Sequence, residues 1–589
     1  MKHLDKDKIF DLIFSLTLLG LLLIVAFPSM YNPPISDYWP TMFYPFHSFE
    51  NLPGPTWVHV LNIDPCEQMR YQPLSRIFYY ILHSIFGANY FIYNFFNLIF
   101  YYICMVILYK FSLRFSGNRP LCSFTVIMAT FLFSHFDLVL WSCHMYIIIG
   151  LISFLSGFFC YIEYLKTQKN KFLLYTTFLF LSGMWCYEAF ALWPFAILIL
   201  SGIKTLTSGI KSRQQAFFKP NFILLFWVYS IYIATFIYTR SIGTYESPAY
   251  KYSALLKISN FLIGGLTVLF NTFYNTVLVN IFPPLAFPLQ IKENIYLKGP
   301  LINYFQKHNN PEAIFYIGAV FGLALVFWIF ILLKRKYREE LKVIFFFLFL
   351  MLTTPFVTFS LRMVDNAYLY CITEFRYQFI PNVFFILLIT FLASKVFKFA
   401  DKNLRTFYMF SVPIIILNIA CILAISGIYT KQLTPLKKMF TSIRSGLISG
   451  IINESQKLYI DKDLPDFMPS LCWNIEMGER YIKEGNYKWI FSKKELIAFT
   501  ENPDDSYWII DKELFTTVLR TEENLKKSGK EIREGKEDQY RELALYYIDQ
   551  EDLAKAKKYV NILQEINPYN IDSKMTKKAL ELKILNLKN

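Results

Sequence analysis

A chain of 589 residues that is 55% hydrophobic and only 17% charged, with a mean hydropathy of +0.34, is excluded from the ordinary soluble globular class, in which charged residues make up about a quarter. The formal net charge of +15 does not argue for a nucleic-acid partner. Lys and Arg gather between apolar runs and in the C-terminal segment, and loop charge of this kind orients membrane proteins.

Apolar runs of about 20 residues are long enough to cross a hydrocarbon core of about 30 Å. In chain order they predict spanning helices at 9–28, 89–113, 121–140, 145–165, 221–240, 313–333, 343–360, 376–399 and 407–428. The first run is too long, and its flank MKHLDKDK too mixed, for a cleaved signal peptide, so it reads as a retained helix. The stretch PLSRIFYYILHSIFG at 73–87 is too short to span and reads as interfacial or re-entrant. Residues 172–203 hold two short apolar halves around CYEAFALWP, a hairpin, and 258–289 is expected to return to the side it leaves.

Charge sets the orientation. Basic clusters at 109–119, 166–171, 204–219, 334–342 and 395–405 all fall on the cytoplasmic side if the N-terminus is cytoplasmic. The loops 29–88, 135–144 and 361–375 then share the outer face with the turn near Glu188, and so does everything after about residue 430. The expected fold class is an all-α polytopic membrane protein with a transmembrane domain over 1–430, whose first outer loop is 29–88. A soluble, largely helical, extracytoplasmic domain comes after it, over 431–589. Near its end, at about 537–570, Tyr540, Leu543, Ala544, Tyr547, Ala556, Val560, Leu563 and Pro568 fall at the spacing of a tetratricopeptide repeat. One such repeat cannot bury its own face, so neighbouring segments must complete it. The compartment expected is a bacterial inner membrane with the tail on the periplasmic side; a eukaryotic lumen would give the same topology.

Ionisable residues collect on the outer side. The first outer loop brings Asp37, Glu50, Asp64, Glu67, Arg70 and Arg76, with His47 and His59. The second, SHFDLVLWSCH, brings His135, Asp137, Trp141 and His144; the turn WCYEAF brings Glu188; the late loop brings Arg362, Asp365, Glu374 and Arg376. Loop carboxylates are commonly just solvated, but acids and bases at helix ends or inside apolar runs face a cavity or a partner. An enzyme that moves a sugar from a polyprenyl phosphate needs these parts: a carboxylate to take the proton of the acceptor hydroxyl, and arginines to hold the departing phosphate. It also needs an apolar groove for the lipid. Nine cysteines are scattered without CxxC or metal-ligand spacing, so no cofactor and no metal is expected.

The motifs resemble those of the GT-C membrane glycosyltransferases, in particular the transmembrane O-mannosyltransferases with tetratricopeptide repeats and their bacterial relatives. That family carries an acid, often a pair, after the first helix; here it is Ser36-Asp37, with one acid missing. Its Tyr-Arg-Pro-Leu motif, short helix ending Phe-Gly and Tyr-His-x-x-Asn correspond to YQPLSRIFYYILHSIFG and YNFFN. Gln72 replaces the arginine and Asn94 the histidine. HFDLVLW fits a further His-x-Glu-x-x-x-Trp motif through His135, with Asp137 in place of the glutamate; YEAFALWP keeps Glu188 and Pro194 of a Lys-Glu motif, and EFRYQFIP keeps Arg376, Tyr377 and Pro381 of another.

The resemblance implies a GT-C fold and an inverting hexosyl or mannosyl transfer from a polyprenyl-phosphate-linked sugar to an acceptor protein or glycan. Asp37 would be the general base. His135, Asp137, Glu188, Asp64 and Glu67 would shape the acceptor site, and Arg376, Tyr377, Arg70 and Arg76 would hold the donor phosphate. Members of the superfamily differ in using a divalent cation, Mg or Mn, and no ligand cage for one is legible here. Membrane lipid is the other expected partner, and the tail offers a surface for a protein partner. Three other readings stay open: a lipid-linked glycan transporter or export component, an O-antigen-type polymerase or ligase, and a membrane-anchored scaffold.

Overall fold

The computed structural model describes residues 6–32, 71–86, 89–135, 138–139, 142–203, 215–242, 320, 331, 338–361, 379–396, 408–409, 411–427 and 430 of the membrane part. In the tail it describes residues 457–459, 489–490, 507–510, 517–520, 540–541, 543–566 and 571–588. The chain divides into two compact units, Met1–Lys431 and Gln432–Asn589.

The described secondary structure of the first unit is all helical. Helix α1 spans Lys6–Ala26, α2 Pro73–Phe86, α3 Tyr90–Ser116, α4 Arg119–Thr130, α5 Met145–Thr167, α6 Asn170–Cys186, α7 Ala196–Ser201, α8 Gln215–Ile242, α9 Arg338–Leu361, α10 Phe379–Phe391 and α11 Ser411–Gly427. Among the described residues four stretches are long and apolar enough to cross a membrane: Lys6–Ser29, Tyr90–Ser116, Met145–Thr167 and Pro220–Tyr238. The chain is therefore membrane-associated. The candidate spans 258–289 and 313–333 fall almost wholly outside the described residues.

Local chemistry explains the sharpest joint. Gly117 closes α3 in the left-handed region at φ 74°, its N–H bonded to Leu113 O at 2.9 Å, a conformation glycine adopts without a Cβ clash. Asn118 then caps α4 by accepting from Leu121 N at 3.0 Å, with Pro120 in the first turn. Across this joint Arg119 pairs with Asp7 at 2.7 Å and Asp11 at 3.4 Å. Tyr109 donates to Asp11 at 2.5 Å, and together these contacts fasten the start of α1 to α3 and α4.

One expected span is corrected. The run 121–140 is not a single helix: α4 stops at Thr130, and a separate turn covers Phe133–His135. Twelve residues reach only about 18 Å at 1.5 Å each, too short for a bilayer core. The segment after α4 is irregular yet deeply buried; Phe131, Leu132, Phe133, Ser134, His135, Leu138 and Val139 are all inside. Irregular backbone survives among membrane helices only where protein satisfies its polar groups, and here side chains from distant helices do so.

The pair α5 and α6 forms the densest packing. Glycines let the two approach: a Cβ on Gly157 would lie 2.7 Å from the Phe180 ring, and one on Gly183 would run into Phe154. Small residues at such seams are the usual device of membrane helices. The return after α6 is broken into two short turns, Glu188–Phe190 and Trp193–Phe195, before the six residues of α7. Trp193 is wholly buried there. It donates Nε1–H to Thr354 Oγ1 of α9 at 2.8 Å and meets Phe384 of α10 at 5.3 Å.

Among the described residues the second unit has a four-stranded sheet that the sequence did not announce. Its strands are β1 Lys457–Tyr459, β2 Trp489–Ile490, β3 Tyr507–Ile510 and β4 Thr517–Arg520, in the order β2-β1-β3-β4. β1 runs parallel to β2 and β3, and β3 and β4 run antiparallel with Tyr507 opposite Arg520. Beyond it lie α12 (543–549), α13 Leu553–Ile566 and α14 Ile571–Lys588. Leu543, Ala544, Tyr547, Ala556 and Val560 are buried in one cluster at the hairpin. Leu580 of α14 enters the same cluster, so the third helix covers the face that two helices leave open.

Candidate functional site

The site is built around the exit of α1. A one-turn helix at Phe27–Ser29 ends it, and Met30 is buried. Asn94 of α3 donates its amide to Met30 O at 3.1 Å, Thr430 donates to Pro28 O at 3.2 Å, and Tyr31 stacks on Phe91 at 4.9 Å. These contacts hold the end of α1 and the residues after it as far as Tyr31. Asp37 itself lies outside the described residues, as do Asp64, Glu67, Arg70, Asp137, Arg376 and Tyr377.

One turn further along α3, Asn97 donates to Leu138 O at 2.7 Å and reaches Val139 O at 3.4 Å. Asn418 of α11 accepts from Phe133 N at 2.8 Å, and Asn382 of α10 donates to Ser134 Oγ at 2.9 Å. Tyr101 donates to Thr130 O at 3.0 Å, and Tyr79 of α2 donates to Ser142 O at 3.3 Å. The segment between α4 and α5 is thus tied by side chains to α2, α3, α10 and α11. Replacing Asn418 with leucine removes the oxygen that accepts from the Phe133 N–H, at a cost of about 1–3 kcal/mol. The expected result is a lower thermal midpoint in detergent, and an unchanged midpoint would contradict this role.

His135 sits inside this segment, fully buried, with its ring edge-on to Phe379 at 4.9 Å. Phe379 opens α10 directly after the segment that carries Arg376 and Tyr377. The imidazole lies beyond the end of α4, outside the spanning helices. Burial lowers its pKa to about 3 against a smaller upward pull from its bond with the Ala129 carbonyl. It is therefore neutral at physiological pH, a hydrogen-bonding group and not a cation for a phosphate.

The third cluster joins the start of α2 to the broken return after α6. Gln72, buried, donates Nε2–H to Glu188 Oε2 at 2.7 Å. Tyr71 beside it meets Tyr232 at 5.6 Å and Phe236 at 5.2 Å, both on α8. Arg76 lies one turn on, with its side chain buried. An arginine at position 72 would make an ion pair here; glutamine makes a hydrogen bond from a neutral donor. Gln72→Glu should set two carboxylates against each other and destabilise the fold. Adding Glu188→Gln should restore it, because one donor and one acid are again paired. Thermal midpoints of the single and double variants check this, and a double variant no better than Gln72→Glu would refute the pairing.

Sequence reasoning missed Asn382, Asn418, Ser134 and Trp193. The signal was present: asparagines embedded in PNVFFILL and ILNIA are polar groups in apolar runs, which mark buried partners. Among the described residues no three His, Cys, Asp or Glu side chains gather as metal ligands. No protein-family model matches the chain, and no curated protein matches it.

Proposed function

We propose that this chain is an integral-membrane glycosyltransferase of GT-C type, transferring a sugar from a polyprenyl-phosphate-linked donor to an acceptor hydroxyl on the extracytoplasmic face. The observation that carries the reading is the joining of motif segments far apart in sequence. Asn94 holds the exit of α1 that leads to Asp37, Asn97 and Asn382 hold the His135 segment, and Gln72 holds Glu188. A scaffold would have no use for such convergence at the ends of its helices.

In the reaction, Asp37 takes the proton of the acceptor hydroxyl as its oxygen attacks the anomeric carbon. The bond from that carbon to the phosphate oxygen breaks on the opposite face, so the configuration inverts and polyprenyl phosphate leaves. Arg376, with Arg70 or Arg76, meets the charge that develops on the phosphate. Asp137, Glu188, Asp64 and Glu67 bound the acceptor side, and the soluble unit, with its tetratricopeptide-like hairpin, presents acceptor protein or glycan. The N-terminus is cytoplasmic and the tail periplasmic.

The test is transfer of a labelled sugar from polyprenyl-phosphate donors in membranes that contain or lack the protein. Label appearing in acceptor only where the protein is present supports the reading. Absence of transfer across mannose, glucose and N-acetylglucosamine donors overturns it in favour of the transporter.

A further inference from the structure

Two buried hydrogen-bond acceptors stand out where α3 meets the segment between α4 and α5. The first is on His135. Its Nδ1 lies 2.8 Å from Ala129 O, and a carbonyl only accepts, so Nδ1 carries the proton. In a neutral imidazole the other nitrogen is then a lone pair. Burial keeps the ring neutral, and the edge of Phe379 fixes its plane. Among the described residues nothing bonds Nε2, although the residue is 0% exposed.

The second acceptor is on Asn97, also 0% exposed. Its NH2 must face the Leu138 and Val139 carbonyls, which turns Oδ1 the other way, and Oδ1 has no partner among the described residues. A buried acceptor without a donor costs about 1–3 kcal/mol, and most such groups in folded proteins are paired. Two of them, one on the segment between α4 and α5 and one on the α3 residue that bonds that segment, point to a ligand that brings donors. Phosphate and carboxylate offer only acceptors to these lone pairs and are disfavoured. A hydroxyl-rich ligand supplies O–H groups with no charge to desolvate.

We propose that His135, through Nε2, and Asn97, through Oδ1, form a hydroxyl-recognition subsite that accepts hydrogen bonds from sugar hydroxyls. The sugar as ligand rests on the glycosyltransferase reading; the acceptor character of the two atoms rests on the contacts above. The subsite determines which sugar or acceptor is held and takes no part in proton transfer.

The test uses the full chain, labelled with 15N-histidine, in lipid nanodiscs. There are seven histidines, and His135→Asn identifies the signal of His135 by its loss. The expected spectrum has Nδ1 protonated and Nε2 bare at neutral pH. Methyl glycosides of mannose, glucose and N-acetylglucosamine are then titrated in. At least one is expected to shift the Nε2 signal, and Asn97→Ser should raise its half-saturation concentration about tenfold or more. A protonated Nε2, or no shift with any glycoside because the acceptors meet only buried water, overturns the proposal. Transfer by the wild type is measured separately. A shift without transfer keeps the subsite and removes the transferase, whereas transfer without a shift does the reverse.

Discussion

Asp37→Asn is expected to abolish sugar transfer while leaving the protein folded. Asparagine keeps the size and the acceptor oxygen of aspartate but cannot take a proton. General-base catalysis contributes about 10²–10⁴-fold, so transfer should fall by at least about a hundredfold. The substitution lies past the fixed exit of α1, where Asn94, Thr430 and Phe91 hold the chain up to Tyr31. None of those contacts involves residue 37, which is why the thermal midpoint should stay within a few degrees of wild type. Transfer rates measured at matched expression, together with the midpoint, separate lost chemistry from lost structure. Normal transfer by the variant would refute the assignment of the base.

Gly183→Val is expected to have the largest effect on stability. A Cβ at Gly183 would enter the Phe154 ring and stand 3.3 Å from the backbone oxygen of Gly150. Phe154 cannot retreat, because it is stacked on Phe180 at 5.1 Å and packed on Trp193 at 5.3 Å. Overpacking a core commonly costs about 1–3 kcal/mol when side chains can adjust. Here the obstacles include backbone, and α5 and α6 must separate. The variant should elute as aggregate on size-exclusion chromatography in detergent. Gly20→Val on α1 is the control, since a Cβ there meets nothing within 4 Å. A monodisperse Gly183→Val protein would contradict the packing of α5 on α6.

The legible part of the fold is that which local pattern controls. The apolar runs that form α3 and α5 are legible to within three residues at their ends, because composition and length decide where a membrane helix runs. Gly117 and Asn118 mark the α3–α4 joint in the sequence itself. The break at Thr130 was not legible. MATFLFSHFDLVLW is apolar enough to pass for a span, and nothing local shows that its backbone will be satisfied by Asn97 and Asn418, the latter 285 residues from the N–H it receives, or that Asn382 will bond its Ser134 hydroxyl. The sheet of the tail was missed for a related reason. Its strands are only two to four residues long, too short to carry a period-two pattern, and β1 pairs with strands tens of residues away.

The candidate site divides along the same line. The sequence nominated Glu188 and His135 as single residues, and nominated Gln72 only as a departure from a motif. That Gln72 and Glu188 bond to each other is tertiary information, as is the tautomer of His135. The basic residues nominated for the phosphate were chosen by position on the outer face; of them Arg76 is described, and it is buried beside the Gln72 cluster.

The most direct test of the central claim is made in proteoliposomes of purified protein, with a polyprenyl-phosphate sugar labelled in the sugar and a soluble acceptor extract outside. Breaking of the bond between the anomeric carbon and the phosphate, seen as free polyprenyl phosphate formed in step with labelled acceptor, is the result predicted. Movement of the intact donor across the bilayer with that bond unbroken would contradict it and identify a carrier.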